Sequence, residues 1–409
     1  MARLDDLTFA PAWQLRDLIR RRELSPVEIT EHYLRRIEPL NPRLNAYLTV
    51  YGDEAVAAAR AAEQAVMDGR HLRPLHGVPI AVKDLNPTKG IRTTRGSLVY
   101  KDWVPEEDDI VVERVRGAGA VILGKTNTPE FGARGTTENR LGDACRNPWN
   151  LERTAGGSSG GAGAALAAGL CPLATGSDAG GSIRIPGSFC GVYGIRPSQG
   201  RVPRPYSTPG GWGAFAQNGP MSHTVRDSAI LLQVMAGPDA RDPTCLQEAL
   251  PSFEAAALDG GVRGLRMSWS ADLGYAAVDP EVRQVAEAAA SVLAELGASV
   301  EAAAPPIDGD KALDIFNTMW RADQAAEFGP LYETSADLLS HYFLQALEQA
   351  VQWKAGKLAQ ALRDREWHRA RLDEFFQRYD LLLTPTMAVT AFPIEEFPKE
   401  IDGRPVDPA

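Results

Sequence analysis

Two glycine- and serine-rich stretches constrain this chain more than anything else in it: Arg153 to Gly169 (RTAGGSSGGAGAALAAG) and Cys171 to Arg184 (CPLATGSDAGGSIR). Neither reads as a linker. Gly156, Gly157, Gly160, Gly161 and Gly163 run directly into an alanine-rich segment with the composition of a helix. A short apolar strand at 172–175 leads to Gly180, Gly181 and Ser182. Glycine gathered at element junctions marks backbone in conformations other residues avoid, or backbone that must approach something closely. Backbone N–H groups left free at such junctions bind anions or developing oxyanions. Two serines in that scaffold, Ser158 and Ser182, suggest a nucleophile and a proton relay.

At 409 residues the chain is long for one core, so one large domain or two domains is expected. A net charge of −10 argues against a nucleic-acid partner. The N-terminus lacks the apolar core of a signal peptide, and no apolar run approaches the ~20 residues of a membrane span. The expected location is cytoplasmic, with no membrane partner. Cys145, Cys171, Cys190 and Cys245 show no C-x-x-C spacing, which favours buried free thiols over zinc ligation.

Strand and helix patterns alternate along much of the chain. Ser25-Pro26-Val27-Glu28 is a capping box with proline at the first helical position, opening a helix to about residue 37. A helix at 11–22 precedes it. Strands are expected at 45–50, 78–85, 120–123, 172–175, 265–269, 299–303 and 380–384. Helices are expected at 53–67, 109–116, 224–235, 280–296 and through most of 310–376. The alternation implies an α/β protein, a layered sheet with helices on its faces.

Each motif has a plain reading beside the functional one. Lys83 interrupts an apolar strand, so it either snorkels to the strand end or is desolvated beside polar partners and serves as a neutral base. Asp84 points to the opposite strand face. Gly156-Gly157-Ser158-Ser159-Gly160 matches the nucleophile elbow, but no apolar strand precedes it; that reading would need a later acid with His223, His341 or His368. Gly119 to Thr126 matches a phosphate-loop pattern, yet its intervening residues are strand-like, so a helix–glycine–strand junction is the better reading. The six histidines have no metal-ligand spacing, and no metal or other cofactor is expected. Trp149 and Trp212 flank the glycine-rich region and suit either pocket lining or packing.

At Lys83, Ser158 and Ser182 the chain resembles the amidase signature family of Ser-Ser-Lys amide hydrolases. The resemblance rests on HGVPIAVKDL (76–85), GKTNTPEF (124–131), NPWNLERTAGGSSGGAGAALAAG (147–169), PLATGSDAGGSIRIPGSFCGVYGIRPSQGRV (172–202), NGPMSHTVRDSAILL (218–232) and YDLLLTPT (379–386). These span most of the chain in the family's order. The resemblance implies a mixed central β-sheet covered by helices on both faces. It implies a single domain over 1–409, with N-terminal helices to about 70, a catalytic core at about 71–235 and a variable helical region at about 305–376. By matching position, Ser182 is the nucleophile, Ser158 the bridging serine after a cis peptide bond, and Lys83 the base. The backbone N–H groups of Ala179, Gly180, Gly181 and Ser182 would form the oxyanion hole. Asp178 and Arg184 would support them, with Ser159 a nearby hydrogen-bonding residue.

The implied activity is hydrolysis of a small-molecule carboxamide to a carboxylate and ammonia or an amine. The partner is then that amide, with a homodimer left open. A relative sharing these motifs is the glutaminase subunit of tRNA-dependent amidotransferases, and an inactive family member is a third reading. Family members usually continue past the position of Ala409 with a T-G-x-P-A-x-x-x-P stretch, a strand and a helix, so those closing elements are expected to be missing. Pocket walls are expected within 203–216 and 310–350. There Met319, Trp320, Tyr332 and Phe343 are apolar candidates whose helical spacing favours packing.

Overall fold

The capping chemistry places the first helices. In the computed structural model, which describes residues 4–205 and 215–406, Ser25 Oγ accepts from the Val27 and Glu28 N–H groups, and the Glu28 carboxylate accepts from Ser25 N–H. Helix α1 (Ala12–Arg20) precedes this box and α2 (Pro26–Leu44) follows it. α2 runs past the expected end near residue 37, through Pro39 and Pro42. The carbonyls those prolines leave unbonded belong to Arg35 and Glu38, both exposed, so water can satisfy them.

The chain continues through β1 (Tyr47–Val50), α3 (Gly52–Met67), β2 (Pro79–Lys83), α4 (Ile110–Gly117), β3 (Val121–Thr126), β4 (Arg146–Asn147) and β5 (Asn150–Thr154). Next come α5 (Gly160–Ala167), β6 (Leu173–Asp178), α6 (Arg184–Cys190), β7 (Tyr193–Gly194), β8 (Gln217–Ser222), α7 (Val225–Met235) and α8 (Phe253–Leu258). The described residues fall into two compact units, and these elements belong to the first, together with residues 337–343.

Six of the strands make one sheet in the order β1-β3-β2-β6-β8-β7. β2 runs parallel to β3 and β6, and the other neighbours are antiparallel, so the sheet is mixed as expected. Strand alternation sorts the core into two layers. Ala81 and Leu123 pack with Tyr33 of α2, Ala59 of α3 and Ala165 of α5. Ile80, Val82 and Ile122 pack on the other face with Val111 and Val115 of α4 and Leu231 of α7.

Two strands exceed the expectation. β6 extends through Gly176, Ser177 and Asp178, residues of poor strand propensity. β8, not anticipated, contains Gly219-Pro220. Each explains the other: Gly176 pairs with Gly219 and Asp178 with Gln217, so the ladder overrides local preference. The extension carries Ser177 and Asp178 into the region of the glycine-rich turn.

The second unit comprises residues 259–336 and 344–406. It contains β9 (Arg266–Trp269), α9 (Pro280–Glu295), β10 (Ser299–Ala302), α10 (Gly309–Ser335), most of α11 (His341–Ala350), α12 (Ala355–Phe376) and β11 (Leu381–Leu383). The strands form a parallel sheet in the order β10-β9-β11, and a hairpin pairs β12 (Glu400–Ile401) with β13 (Arg404–Pro405). Among the described residues no helix is long and apolar enough to cross a membrane.

Candidate active site

β2 delivers Lys83. Ile80 and Val82 face the α4–α7 layer, so alternation turns Ala81 and Lys83 toward the layer containing α5. Lys83 is fully buried and does not snorkel. Its Nζ lies 2.8 Å from both Ser158 Oγ and Ser159 Oγ, and 3.0 Å from Ser177 Oγ. Burial pushes the amine down to about 7, against a smaller opposing pull from the Asp178 charge. A good fraction of Lys83 is therefore neutral at neutral pH, with a lone pair to accept a proton.

Close approach explains the glycines around Ser158. A Cβ on Gly157 would stand 2.5 Å from Thr136 O, and one on Gly161 would stand 2.2 Å from Asn127 N. The backbone thus presses the start of α5 against the end of β3, where Gly161 N–H donates to Asn127 O. The Gly157–Ser158 peptide is cis. The basic side chain beside Ser158 is Lys83 and not a histidine, which counts against the histidine-dependent elbow. Lys125 of the phosphate-loop pattern lies inside β3, not in a loop.

Ser182 sits in the turn between β6 and α6. Asp178, at the end of β6, organises that turn: its carboxylate accepts from Gly181 N–H (2.8 Å), Ile183 N–H (3.1 Å) and the Arg184 guanidinium (2.8 and 2.9 Å). Burial alone would raise the Asp178 carboxyl. The Arg184 pair and the backbone donors outweigh it and hold the group below the usual carboxylate range. Gly181 has φ +120°, backbone that favours glycine. With Gly181 N–H committed to Asp178, the N–H groups of Ala179, Gly180 and Ser182 have no acceptor among the described residues. Ser159 N–H donates to Ser182 O at 3.0 Å, which ties the two glycine-rich stretches together. Exposure rises from Lys83 (0%) through Ser158 (2%) to Ser182 (9%), so Ser182 is the least enclosed of the three.

The sequence does not single out Ser177 or Thr175. Ser177 borders the amine, and Thr175 Oγ1 accepts from Lys83 N–H at 3.0 Å. The available signal is alternation along β6, visible only once the strand is extended to Asp178. Met319 and Phe343 are fully buried, as packing residues would be. Trp149 is exposed and donates from Nε1 to Cys190 O, whereas Trp212 lies outside the described residues. All four cysteines are buried and free. Among the described residues no cluster of His, Cys, Asp or Glu side chains could hold a metal ion.

Comparison with known proteins shows the family. A family model described as Amidase matches residues 28–407. An acylamidase from Rhodococcus erythropolis is 38% identical over 402 residues, covering 97% of this chain and 83% of that protein. A glutamyl-tRNA(Gln) amidotransferase subunit from Roseiflexus sp. (strain RS-1) is 36% identical, covering 96% of this chain and 84% of its own length. The crystal structure of a bacterial aryl acylamidase of the amidase signature family superposes with a TM-score of 0.91 at 32% identity, covering 98% of this chain and 85% of that one.

Proposed function

We propose that this chain, which belongs to the Amidase family and is an amide hydrolase acting on carbon–nitrogen bonds other than peptide bonds, opens its substrate through an acyl-enzyme on Ser182. A serine hydroxyl is a weak nucleophile unless a base takes its proton. Lys83 is that base and Ser158 the bridge. The proton of Ser182 Oγ passes to Ser158 Oγ as the Ser158 proton passes to Lys83 Nζ, and Ser182 Oγ bonds to the carbonyl carbon. The oxyanion is received by N–H donors of the 179–182 turn, of which Ala179, Gly180 and Ser182 are uncommitted. One well-placed donor of this kind is worth ~3–4 kcal/mol. The relay then runs backward: Lys83 returns its proton through Ser158 to the leaving nitrogen, the C–N bond breaks, and the carboxyl part stays on Ser182. Water, activated by the same relay, releases the carboxylate.

The observation that carries this reading is the fully buried Lys83 amine 2.8 Å from Ser158 Oγ. The acylamidase and aryl acylamidase likenesses support a substrate with an acyl group on an aryl or alkyl amine. The free, buried cysteines fit a reducing compartment and support a cytoplasmic location. A second reading, a glutaminase subunit that works within an amidotransferase, is favoured by the likeness to the Roseiflexus protein. The test is hydrolysis by the purified chain of an anilide panel and of glutamine. Aniline release at rates well above those for glutamine supports the acylamidase reading. Hydrolysis of glutamine alone would replace it with the second.

A further inference from the structure

The chain buries a second lysine that the mechanism leaves unused. Lys125 in β3 is fully buried, like Lys83. Regular alternation would put it on the face of Leu123, the same face as Lys83. A one-residue bulge prevents this: Ile80 pairs with Ile122 but Ala81 pairs with Gly124, so Leu123 is the extra residue and the alternation flips. Only glycine fits at the bulge, because a Cβ on Gly124 would stand 2.2 Å from Thr49 O. Beyond it Val82 pairs with Lys125 and Lys83 with Thr126, so the two lysines leave opposite faces of the sheet.

On its own face Lys125 meets the irregular stretch that follows Lys83 directly. Its ammonium donates to Asn86 O (2.5 Å), Thr88 Oγ1 (2.6 Å) and Thr93 Oγ1 (3.0 Å). All three of its protons are thus committed. Asn86 N–H returns to Lys83 O at 3.0 Å, and Asp84 N–H donates to Thr126 O at 3.1 Å. Asp84 closes the same stretch by accepting from Thr94 N–H at 2.9 Å. The side chains of Asn86, Thr88, Thr93 and Thr94 are all buried. A buried stretch without regular structure needs partners for its polar groups, and here they converge on one ammonium. Burial pulls Lys125 down to about 8, while Asp84, Asp109 and Asp108 oppose this and Arg116 adds to it; the group stays mostly charged at pH 7.

We propose that Lys125 is a positioning residue for Lys83, holding the 84–94 stretch closed from the opposite face of the sheet so that Lys83 stays dry and aimed at Ser158. The inference rests on the relay described above. A buried ammonium costs several kcal/mol, which an apolar side chain in β3 would avoid. Its three donors all fall on the segment that leaves Lys83 directly, and Leu85 of that segment lies beside Ser158: a Cβ on Gly132 would stand 2.8 Å from Leu85 Cδ1 and 3.2 Å from Ser158 Oγ. If that segment loosens, water reaches Lys83, and the burial that lowers its pKa is partly relieved. Asp178 is the charge that already favours its protonated form, and Ser158, Ser159 and Ser177 are its other neighbours.

The test compares the acid limb of kcat/KM for anilide hydrolysis in the wild type, Lys125→Met and Thr93→Val. The expected result is a limb displaced upward by a pH unit or more in Lys125→Met. At pH 7 its kcat should fall at least about fivefold, as the neutral fraction of Lys83 drops from roughly a half to roughly a tenth, with KM little changed. Thr93→Val removes one acceptor without altering any charge, so its smaller upward shift reads hydration and not lost repulsion from Lys125. It also carries the test if Lys125→Met does not fold. Limbs at the wild-type pH in the folded variants, accompanied only by lower Tm, would overturn the inference and leave the relay standing. A wild type with no acid limb would overturn the relay first, and the inference with it.

Discussion

Replacing Lys83 with methionine should abolish turnover and, at the same time, stabilise the fold by an amount that grows as pH falls. In the folded chain the amine titrates near 7; its ordinary value is 10.5. Between those two pH values the unfolded chain binds more protons than the folded one, so wild-type stability declines as pH falls through the window and levels off below about 7. The full difference is about 3.5 pKa units, or roughly 5 kcal/mol at ~1.36 kcal/mol per unit. At pH 9 about 2 kcal/mol of that penalty is present, and at pH 6 nearly all of it. Methionine carries no such penalty. Its loss of the contacts to Ser158, Ser159 and Ser177 is the same at both pH values and cancels in the comparison. The gain of Lys83→Met over wild type should therefore be larger by ~2–3 kcal/mol at pH 6 than at pH 9. For a unit of about 260 residues, at ~2.1 cal/mol/K of unfolding entropy per residue, that is roughly 4–5 °C in Tm. Thermal unfolding of both proteins at the two pH values reads it directly. An equal Tm difference at pH 6 and pH 9 would refute the claim that Lys83 is buried with a depressed pKa.

Three further outcomes follow from the same geometry. The wild-type kcat/KM should fall about tenfold per pH unit below a midpoint near 7 as Lys83 is protonated; an anilide assay level down to pH 5 contradicts a neutral lysine base. Arg184→Ala removes two hydrogen bonds from the buried Asp178 carboxylate. Because Arg184 is itself half exposed and three N–H donors remain, the expected loss is ~1–3 kcal/mol in urea unfolding, with kcat reduced more than KM. Gly161→Ala places a Cβ against the Asn127 backbone and should abolish soluble expression, whereas Gly356→Ala, which meets nothing within 4 Å, should express normally.

The amino-acid sequence exposes the parts of this molecule that depend on local chemistry. The Ser25 capping box, the Thr224 cap of α7 and the Pro280 start of α9 all lie where hydrogen-bonding side chains dictate. The site is legible for a different reason: glycine at 157 and 161 records backbone contact, and a lysine in an apolar strand records a buried amine among serine hydroxyls. What stays hidden depends on partners distant in sequence. β8 forms across Gly219-Pro220 because β6 lies beside it, and no local propensity signals that. Ser177 reaches Lys83 only because that ladder extends β6. Lys125 resembles part of a phosphate loop in the sequence because its partners, Asn86, Thr88 and Thr93, are brought to it by a bulge that pattern reading does not resolve.

Ser182 is proposed as the nucleophile, activated through Ser158 and Lys83. A fluorophosphonate reacts only with an activated serine, so labelling followed by peptide mass mapping tests this most directly. The expected result is one labelled residue, Ser182, with labelling lost in Lys83→Ala and in Ser158→Ala. Label on Ser158 with Ser182 unmodified, or label on Ser182 that survives both substitutions, would contradict it.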